Sequence, residues 1–320
     1  MNVLVTGGAG YIGSHMVHVL VDAGHDVVVV DDLSAGHRDA VSPKAVFVRA
    51  DVRDRDAVGN ALRGVDAVFH FASRIQVGES VTNPRRYYRD NLVAAVDLLD
   101  TVLDAGVRHF ILSSTAAVYG DPQRTPLDEA HPTQPVNPYG ATKLAVERML
   151  ADYERAYGLS WAALRYFNAA GAAPTLGLGE RHEPETHLIP LVVGAALGKR
   201  PPLTVFGTDY PTPDGTCVRD YVHVLDLADA HLLALEHLRA GRAGGAFNLG
   251  SGAGHSVREV IAAVEKRTGK SVPVTFGARR AGDPPVLVAS SARAERELGW
   301  KKTRSSLDRI VDDAVAFGAA

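Results

Sequence analysis

TGGAGYIGSH, residues 6–15, follows directly after the apolar run Val3–Val5 and leads into an apolar helical pattern. Within it, Gly7, Gly10 and Gly13 have the spacing of a dinucleotide-binding turn. Glycine lets the backbone turn sharply and approach a pyrophosphate, whose negative charge is stabilised at the N-terminus of the following helix. We therefore predict a strand, a phosphate-binding turn and a helix at the start of the chain.

An acidic residue follows at the distance that such a site requires. Asp31 comes directly after the apolar run Val27–Val30 and lies 18 residues after Gly13. A carboxylate at that point accepts hydrogen bonds from the adenosine ribose and repels a 2′-phosphate, so NAD is favoured over NADP. Asp51 follows the next run, Ala45–Val48. It can hold the adenine amino group, or it can cap the helix that follows it.

Two further apolar runs, Ala67–Phe71 and Phe110–Ser113, continue the alternation of strand-like and helix-like segments. Such alternation indicates βαβ units and a parallel sheet. We predict an α/β fold with a Rossmann-type doubly wound parallel sheet and a smaller, mixed α/β C-terminal domain. The expected boundaries are 1–170 for the NAD-binding domain and 171–320 for the substrate-binding domain. Parts of 215–250 are expected to return to the first domain.

Composition narrows the classes of protein that the chain can represent. It has 320 residues, a formal net charge of −3 and one cysteine, Cys217. A single cysteine excludes an internal disulfide framework and a cysteine-based zinc site, and no metal site is expected. The charge argues against nucleic-acid binding. No apolar run is long enough to span a membrane and no signal peptide is recognisable, so we expect a cytoplasmic protein.

A tyrosine and a lysine four residues apart carry the expected chemistry. Tyr139 and Lys143 follow Asn137 and Pro138, which are typical of a helix start, so they should share one helix face. Moving a tyrosine pKa from about 10 to near 7 requires roughly 4 kcal/mol. A cation at about 4 Å supplies roughly that much only in a partly dry cleft. Such a pair also occurs by chance on surface helices, but Thr115, after an apolar strand, offers the hydroxyl that completes a proton-abstracting group.

These residues resemble the extended short-chain dehydrogenase/reductase family. The glycine spacing, the upstream Ser/Thr and the Tyr-x-x-x-Lys pair carry the resemblance, which extends over nearly the whole chain. The matching segments are TGGAGYIGSH (6–15), DDLSAG (31–36), HFASRIQVGES (70–80), SSTAAVYG (113–120), PYGATK (138–143), RYFNAAGA (165–172), FGTDYPTPDGTCVRDYVHVLDLADAH (206–231) and RAGD (280–283).

The resemblance implies three groups of site residues. The catalytic group is Thr115, Tyr139 and Lys143. The residues implied to bind NAD are Gly7, Gly10, Tyr11, Ile12, Gly13, Asp31, Asp32, Leu33, Ser34, Gly36, Asp51, Val52, Phe71, Ala72, Ser73, Asn91, Ser113, Tyr139, Lys143 and Phe167. The residues implied to bind a UDP-sugar are Thr115, Tyr166, Asn168, His187, Leu188, Thr204, Phe206, Arg219, Tyr221, Arg280, Asp283 and Leu287. Arg219 and Arg280 also make independent sense as pyrophosphate ligands, because guanidinium groups pair strongly with phosphate in a cleft.

The implied activity is the interconversion of UDP-glucose and UDP-galactose, with NAD retained and C4 of the sugar transiently oxidised by Tyr139. The resemblance also implies a homodimer and a role in galactose metabolism. Alternatives within the family are a nucleotide-sugar 4,6-dehydratase and a UDP-glucuronate decarboxylase. These place an acidic residue near the catalytic threonine, where this chain has Ala116 and Ala117. A non-catalytic NAD-sensing protein of the same fold is a further alternative, although such proteins typically lose the tyrosine or the lysine.

The chain departs from the family pattern at two positions. Many members have a lysine where this chain has Arg74, and an asparagine of the cofactor site aligns with Asp90, next to Asn91. Leu287 aligns with the residue that bounds the sugar pocket. It can face the sugar, or it can be an ordinary strand residue that faces the core.

Overall fold

The structure is a computed structural model that describes residues 1–280 and 283–319. In chain order its strands are β1 (Asn2–Thr6), β2 (Asp26–Asp31), β3 (Val46–Arg49), β4 (Ala67–His70), β5 (His109–Thr115), β6 (Ser160–Tyr166), β7 (Asn168–Ala170), β8 (Leu203–Phe206), β9 (Val218–His223), β10 (Gly245–Leu249), β11 (Gly254–Ser256), β12 (Val274–Gly277) and β13 (Val286–Leu287).

The α-helices are α1 (Tyr11–Asp22), α2 (Arg55–Ala61), α3 (Val77–Thr82), α4 (Pro84–Tyr87), α5 (Ala94–Asp104), α6 (Pro138–Tyr157), α7 (Leu188–Ala196), α8 (Val224–Arg239), α9 (Val257–Thr268), α10 (Ala292–Glu297) and α11 (Leu307–Ala319). A π-helical segment, Tyr88–Val93, joins α4 to α5. No helix in the described ranges is both long enough and apolar enough to cross a membrane.

Seven parallel strands in the described part of the chain form the main sheet, in the order β10-β6-β5-β4-β1-β2-β3. Buried side chains cover both of its faces. Val5 and Met16 belong to the apolar cluster on one face, and Leu4, Leu98 and Leu150 belong to the cluster on the other. Burial on both faces accounts for strands without polar alternation. The doubly wound parallel sheet predicted from the sequence is confirmed.

The strand order reverses at β1, which lies between β2 and β4. In a doubly wound sheet, ligands bind beyond the carboxyl ends of the strands at such a reversal. The glycine turn begins at this point, because Gly7 directly follows β1.

The remaining strands form a smaller substructure. β9 pairs with β7, β11 and β13, and β8 pairs with β12. The helices α7, α9 and α11 pack around a third apolar cluster that includes Ile189, Val260 and Ile310. The chain returns to the main sheet after β9, because α8 packs against α1 and β10 pairs with β6. The two substructures are therefore not consecutive in sequence.

Candidate active site

The glycine turn connects β1 to α1 and is closely packed against the protein. Gly7 has a φ of +71°, in the left-handed region that favours glycine. A Cβ added to Gly13 would lie 2.2 Å from the carbonyl oxygen of Gly7, so a larger residue would displace the backbone. A Cβ added to Gly10 would approach the same oxygen to 3.4 Å, an ordinary contact. The turn therefore leaves room at Gly10, beside the start of α1, for a pyrophosphate.

Asp31 lies at the carboxyl end of β2, beside this turn. Its carboxylate accepts hydrogen bonds from the backbone N–H groups of Ala9, at 2.9 Å, and Leu33, at 2.8 Å. Burial raises the pKa of this carboxyl, and the two N–H groups oppose that effect. Each carboxylate oxygen can accept more than one hydrogen bond, so Asp31 can still bind ribose hydroxyls.

A cleft beside the glycine turn and Asp31 contains most of the positions expected to bind NAD. They are Gly7, Gly10, Asp31, Asp32, Ser34, Gly36, Asp51, Val52, Phe71, Ala72 and Ser73. Within the described ranges, the other expected positions do not line this cleft, and their roles stay predictions: Tyr11, Ile12, Gly13, Leu33, Asn91, Ser113, Tyr139, Lys143 and Phe167. A glycine turn, an acidic strand end and apolar walls together fit a dinucleotide.

The cleft also contains residues outside the list of expected NAD ligands, although the resemblance had already aligned two of them, Arg74 and Asp90, with positions near the cofactor. These additional residues are Val30, Ala35, Ala50, Arg53, Arg74, Asp90 and Ala94. Arg53 donates to both carboxylate oxygens of Asp51, at 2.8 and 2.5 Å, and thereby lowers the pKa of that carboxyl. Because Arg53 is only two residues from Asp51, the pair of opposite charges was the signal that could have identified it.

Asn91 positions the loop after β4. Its Oδ1 accepts from the backbone N–H of Arg74 at 2.8 Å, and its Nδ2 donates to the carbonyl of the same residue at 3.0 Å. Arg74 in turn pairs with Asp90 at 3.2 Å. The side chain of Asn91 thus binds the loop backbone, whereas Arg74 and Asp90 face the cleft.

The expected catalytic group lies where β5 ends and α6 begins. The Asn137 side chain caps α6 by accepting from the N–H of Gly140 at 2.9 Å. This cap fixes the first turn, which carries Tyr139, and Lys143 follows one turn later. Thr115 is the last residue of β5. Burial raises the pKa of Tyr139, and a hydrogen bond with the Thr115 hydroxyl only opposes this rise. The Lys143 Nζ donates to the carbonyl oxygen of Ser113 at 2.9 Å.

Burial dominates the electrostatics of this group. It raises the pKa of Tyr139 to about 12, the opposite of the direction expected from a neighbouring lysine. It also lowers the pKa of Lys143 to about 7, although the charge of Glu147 opposes this shift. The physical reason is that removing water disfavours both charged forms, the phenolate and the ammonium. Ionising Tyr139 in this pocket therefore requires additional positive charge.

A buried ion pair lies one helical turn beyond Lys143. Arg165 on β6 donates to both carboxylate oxygens of Glu147 on α6, and Ser114 on β5 donates to the same carboxylate at 2.5 Å. Arg165 also donates to the hydroxyl of Tyr119 at 3.0 Å. These bonds connect α6 to β5 and β6 directly behind Thr115 and Tyr139.

Six of the expected sugar-binding residues, Thr115, Tyr166, Asn168, Arg219, Tyr221 and Leu287, lie on the paired strands β5, β6, β7, β9 and β13. Asn168 on β7 is opposite Tyr221 on β9, and Leu287 on β13 is opposite Arg219 on β9. Tyr166, at the end of β6, is opposite Thr115. Strand pairing thus brings Tyr166 beside Thr115, although the two lie far apart in sequence, and it aligns Asn168 and Leu287 with residues of β9.

Two arginines expected to bind the pyrophosphate have partners in the protein. Arg219 pairs with Asp283 at 2.5 Å, and the Arg280 guanidinium lies 4.1 Å from the ring centre of Phe206 on β8. The middle of the RAGD segment, residues 281 and 282, lies outside the described residues. Thr204, two positions before Phe206, contacts Thr275 on β12 at 3.1 Å between hydroxyl oxygens.

Leu287 is partly buried. It packs with Phe167 against an apolar cluster that includes Ala116 and Leu144. Ala116 directly follows Thr115, so Leu287 lies next to the catalytic strand end and is not part of a distant core. This position is compatible with a role in bounding the sugar pocket, which stays a prediction.

Four potential metal ligands come together before α7, of which the sequence analysis assigned His187 to the UDP-sugar and did not single out the other three. They are Glu180, His182, Glu185 and His187, with donor atoms within 4.8 Å of one another. Leu188 begins α7 directly after them. The available signal was the sequence Glu-x-His, which occurs twice within eight residues.

Comparisons with known proteins agree with this geometry. The model of the NAD dependent epimerase/dehydratase family matches residues 3–250. The chain is 51% identical to the UDP-glucose 4-epimerase of Azospirillum brasilense, over 98% of this chain and 91% of that protein. The crystal structure of UDP-glucose 4-epimerase from Brucella ovis with NAD superposes with a TM-score of 0.96, at 49% identity over 99% of this chain and 98% of that one. The enzyme of Bifidobacterium longum with NAD+ and UDP gives a TM-score of 0.94, at 38% identity over 100% and 98% of the two chains.

Proposed function

The chain belongs to the NAD dependent epimerase/dehydratase family, and on this premise we propose that it interconverts UDP-glucose and UDP-galactose with a retained NAD. The observation that carries the proposal is the group formed by Thr115, Tyr139 and Lys143 at the carboxyl end of the main sheet. Its hydroxyl, phenol and amine are the groups needed to remove a proton from an alcohol while the same carbon loses a hydride.

Tyr139 acts as the base. Its oxygen takes the proton of the sugar 4-hydroxyl, and Thr115 shares the hydrogen bond to that oxygen. Bound NAD supplies hydride acceptor and donor chemistry and brings the positive charge of its nicotinamide to the pocket. Since burial raises the pKa of Tyr139 to about 12, this charge and that of Lys143 are what stabilise the phenolate. Lys143 also holds the nicotinamide ribose.

Inversion at C4 would require the oxidised sugar to turn its other face toward the bound cofactor. UDP remains bound during the rotation, with Arg219 and Arg280 as the pyrophosphate ligands. The proton returns from Tyr139 to the oxygen at C4. Neither NAD nor the sugar undergoes a net change of oxidation state, so no external oxidant is needed.

The residues after Thr115 argue against the other chemistries of the family. Ala116 and Ala117 offer no acid or base for eliminating water or for decarboxylation. The presence of both Tyr139 and Lys143 argues against a non-catalytic NAD sensor. Epimerisation is therefore favoured over each of these alternatives.

We further propose a cytoplasmic homodimer in which α5 and α6 of the two subunits pack together. Leu99 of α5 faces the core of its own subunit, so other side chains must form the contact. Val93, just before α5, is 50% exposed and Tyr157, at the end of α6, is 65% exposed. These apolar surfaces support the proposed pairing.

Tyr139→Phe tests the proposed reaction. The variant should fold and retain NAD but lose about 10²- to 10⁴-fold in kcat, the usual contribution of general base catalysis. Tyr157→Phe, on the same helix, is the matched control and should keep the parent rate. Conversion of UDP-galactose is measured without added NAD in D₂O, and deuterium should not enter C4. A near-parent rate in Tyr139→Phe, or a stoichiometric demand for external NAD, would contradict the proposal.

A further inference from the structure

The segment before α7 repeats one short pattern. Glu180-Arg181-His182 is followed, after two residues, by Glu185-Thr186-His187. The repeat brings two carboxylates and two imidazoles together, with the donor atoms of all four within 4.8 Å of one another. A loop that folds back on itself in this way presents a mixed nitrogen and oxygen ligand set.

The Glu180 carboxylate lies at the centre of the cluster. Its Oε1 is 2.9 Å from Nδ1 of His182 and also contacts Nδ1 of His187. Glu185 completes the cluster, with its Oε1 3.9 Å from Nδ1 of His182. Its Oε1 also accepts from the backbone N–H groups of Thr186 and His187, which fixes the orientation of that carboxylate.

The two carboxylates are deeply buried. The side chain of Glu180 is 4% exposed and that of Glu185 is 2% exposed. Two ionised carboxylates in such a position are costly unless positive charge lies between them. A divalent cation would supply that charge at one point and bind all four side chains.

We propose that Glu180, His182, Glu185 and His187 bind one divalent transition-metal cation, with Zn²⁺ as the best match. Imidazole nitrogen is a preferred ligand of zinc, and carboxylate oxygen completes its usual four-coordinate site. Mg²⁺ is a poor match, because it prefers oxygen ligands in an octahedral arrangement.

The surrounding contacts indicate what the cation does. Arg181 pairs with Asp39 at 2.8 Å, and His37 contacts the carbonyl of Arg181 at 2.9 Å. The ring of His182 packs edge-on against that of Tyr11, the first residue of α1. At its other end, His187 directly precedes α7. The cation thus fixes residues 180–187, which contact the start of α1 on one side and lead into α7 on the other. Its role is structural and not catalytic.

Zinc titration of the untagged protein, purified with its NAD and treated with chelator, tests this site. Isothermal titration calorimetry and metal analysis after desalting should both give one Zn²⁺ per chain, and the melting temperature should rise. Equal concentrations of Mg²⁺ should not compete.

His182→Asn and Glu185→Gln should each weaken zinc binding by at least about 10-fold. His255→Asn, which removes a histidine elsewhere, is the matched control and should bind as the parent does. The proposal is overturned if the parent binds no stoichiometric Zn²⁺, or if both ligand variants bind it as tightly as the parent. These experiments measure metal content and thermal unfolding, so their outcome does not depend on whether the protein is an epimerase.

Discussion

Glu147–Arg165 and Arg219–Asp283 are the same kind of ion pair placed on two sides of the site. In the first pair, behind the catalytic group, the carboxylate is 4% exposed and the guanidinium 8%. In the second pair, on the sugar side, the guanidinium is 12% exposed and the carboxylate 30%. The first pair is therefore sealed among β5, β6 and α6, whereas the second remains within reach of a ligand.

This difference indicates how the two sides of the site work. A buried pair that already satisfies both charges cannot change partners cheaply, so it holds β5 and α6 in one arrangement. Arg219 can exchange a carboxylate for a phosphate at little cost, because the oxygens of both anions accept hydrogen bonds from a guanidinium group. The catalytic side is preorganised, and the sugar side exchanges contacts when a ligand binds.

Among the substitutions that test the difference between the two ion pairs, Glu147→Gln should have the largest effect, and that effect is on stability. It leaves the Arg165 guanidinium buried without a counter-charge, and we expect the free energy of unfolding to fall by about 3–5 kcal/mol. Urea unfolding of the NAD-bound protein measures this. Asp152→Asn, in an exposed pair with Arg155, is the control and should cost less than about 1 kcal/mol. Equal losses in both variants would show that the buried pair stabilises the fold no more than the exposed pair does.

Arg219→Ala should affect binding more than stability. Loss of a charge-assisted bond to the pyrophosphate costs about 1.5–3 kcal/mol, which corresponds to a roughly 10- to 150-fold increase in KM for the UDP-sugar. Arg267→Ala, in an exposed pair with Asp312, provides the control and should keep the parent KM. A parent-like KM in Arg219→Ala would mean that this arginine pairs with Asp283 but does not bind the pyrophosphate.

Leu287→Ser should have the smallest effect and concerns selectivity. An acetamido group on the sugar would have to displace Leu287, and overpacking costs about 1–3 kcal/mol, so we expect the parent to prefer the glucose/galactose pair by roughly 5- to 150-fold. The serine variant should reduce this preference. Ratios of kcat/KM for the plain and N-acetylated pairs measure it, with the exposed Leu176→Ser as control. An unchanged ratio in Leu287→Ser would show that another residue bounds the pocket.

Local features of this chain were predictable, and features that depend on tertiary packing were not. The glycine turn, Asp31 and the Tyr139–Lys143 pair could be predicted from short sequence spacings, because each lies within or next to a single strand, turn or helix that determines its position. The direction of the Tyr139 pKa was not predictable, because it depends on how completely several elements exclude water. The same is true of the Glu180 cluster, whose ligands converge only when the loop folds back, and of Asn91, whose amide binds the backbone of a loop 17 residues away.

The strand order also has a consequence for synthesis of the chain on the ribosome. β10 pairs with β6, yet β7, β8, β9 and α8 lie between them in sequence. Until Gly245–Leu249 has emerged, β6 presents an open row of backbone donors and acceptors, the kind of edge that recruits strands from other chains. A nascent chain that already contains Thr115, Tyr139 and Lys143 thus still depends on a much later segment to close its sheet, and the interval between the two is the period in which chaperones would be needed.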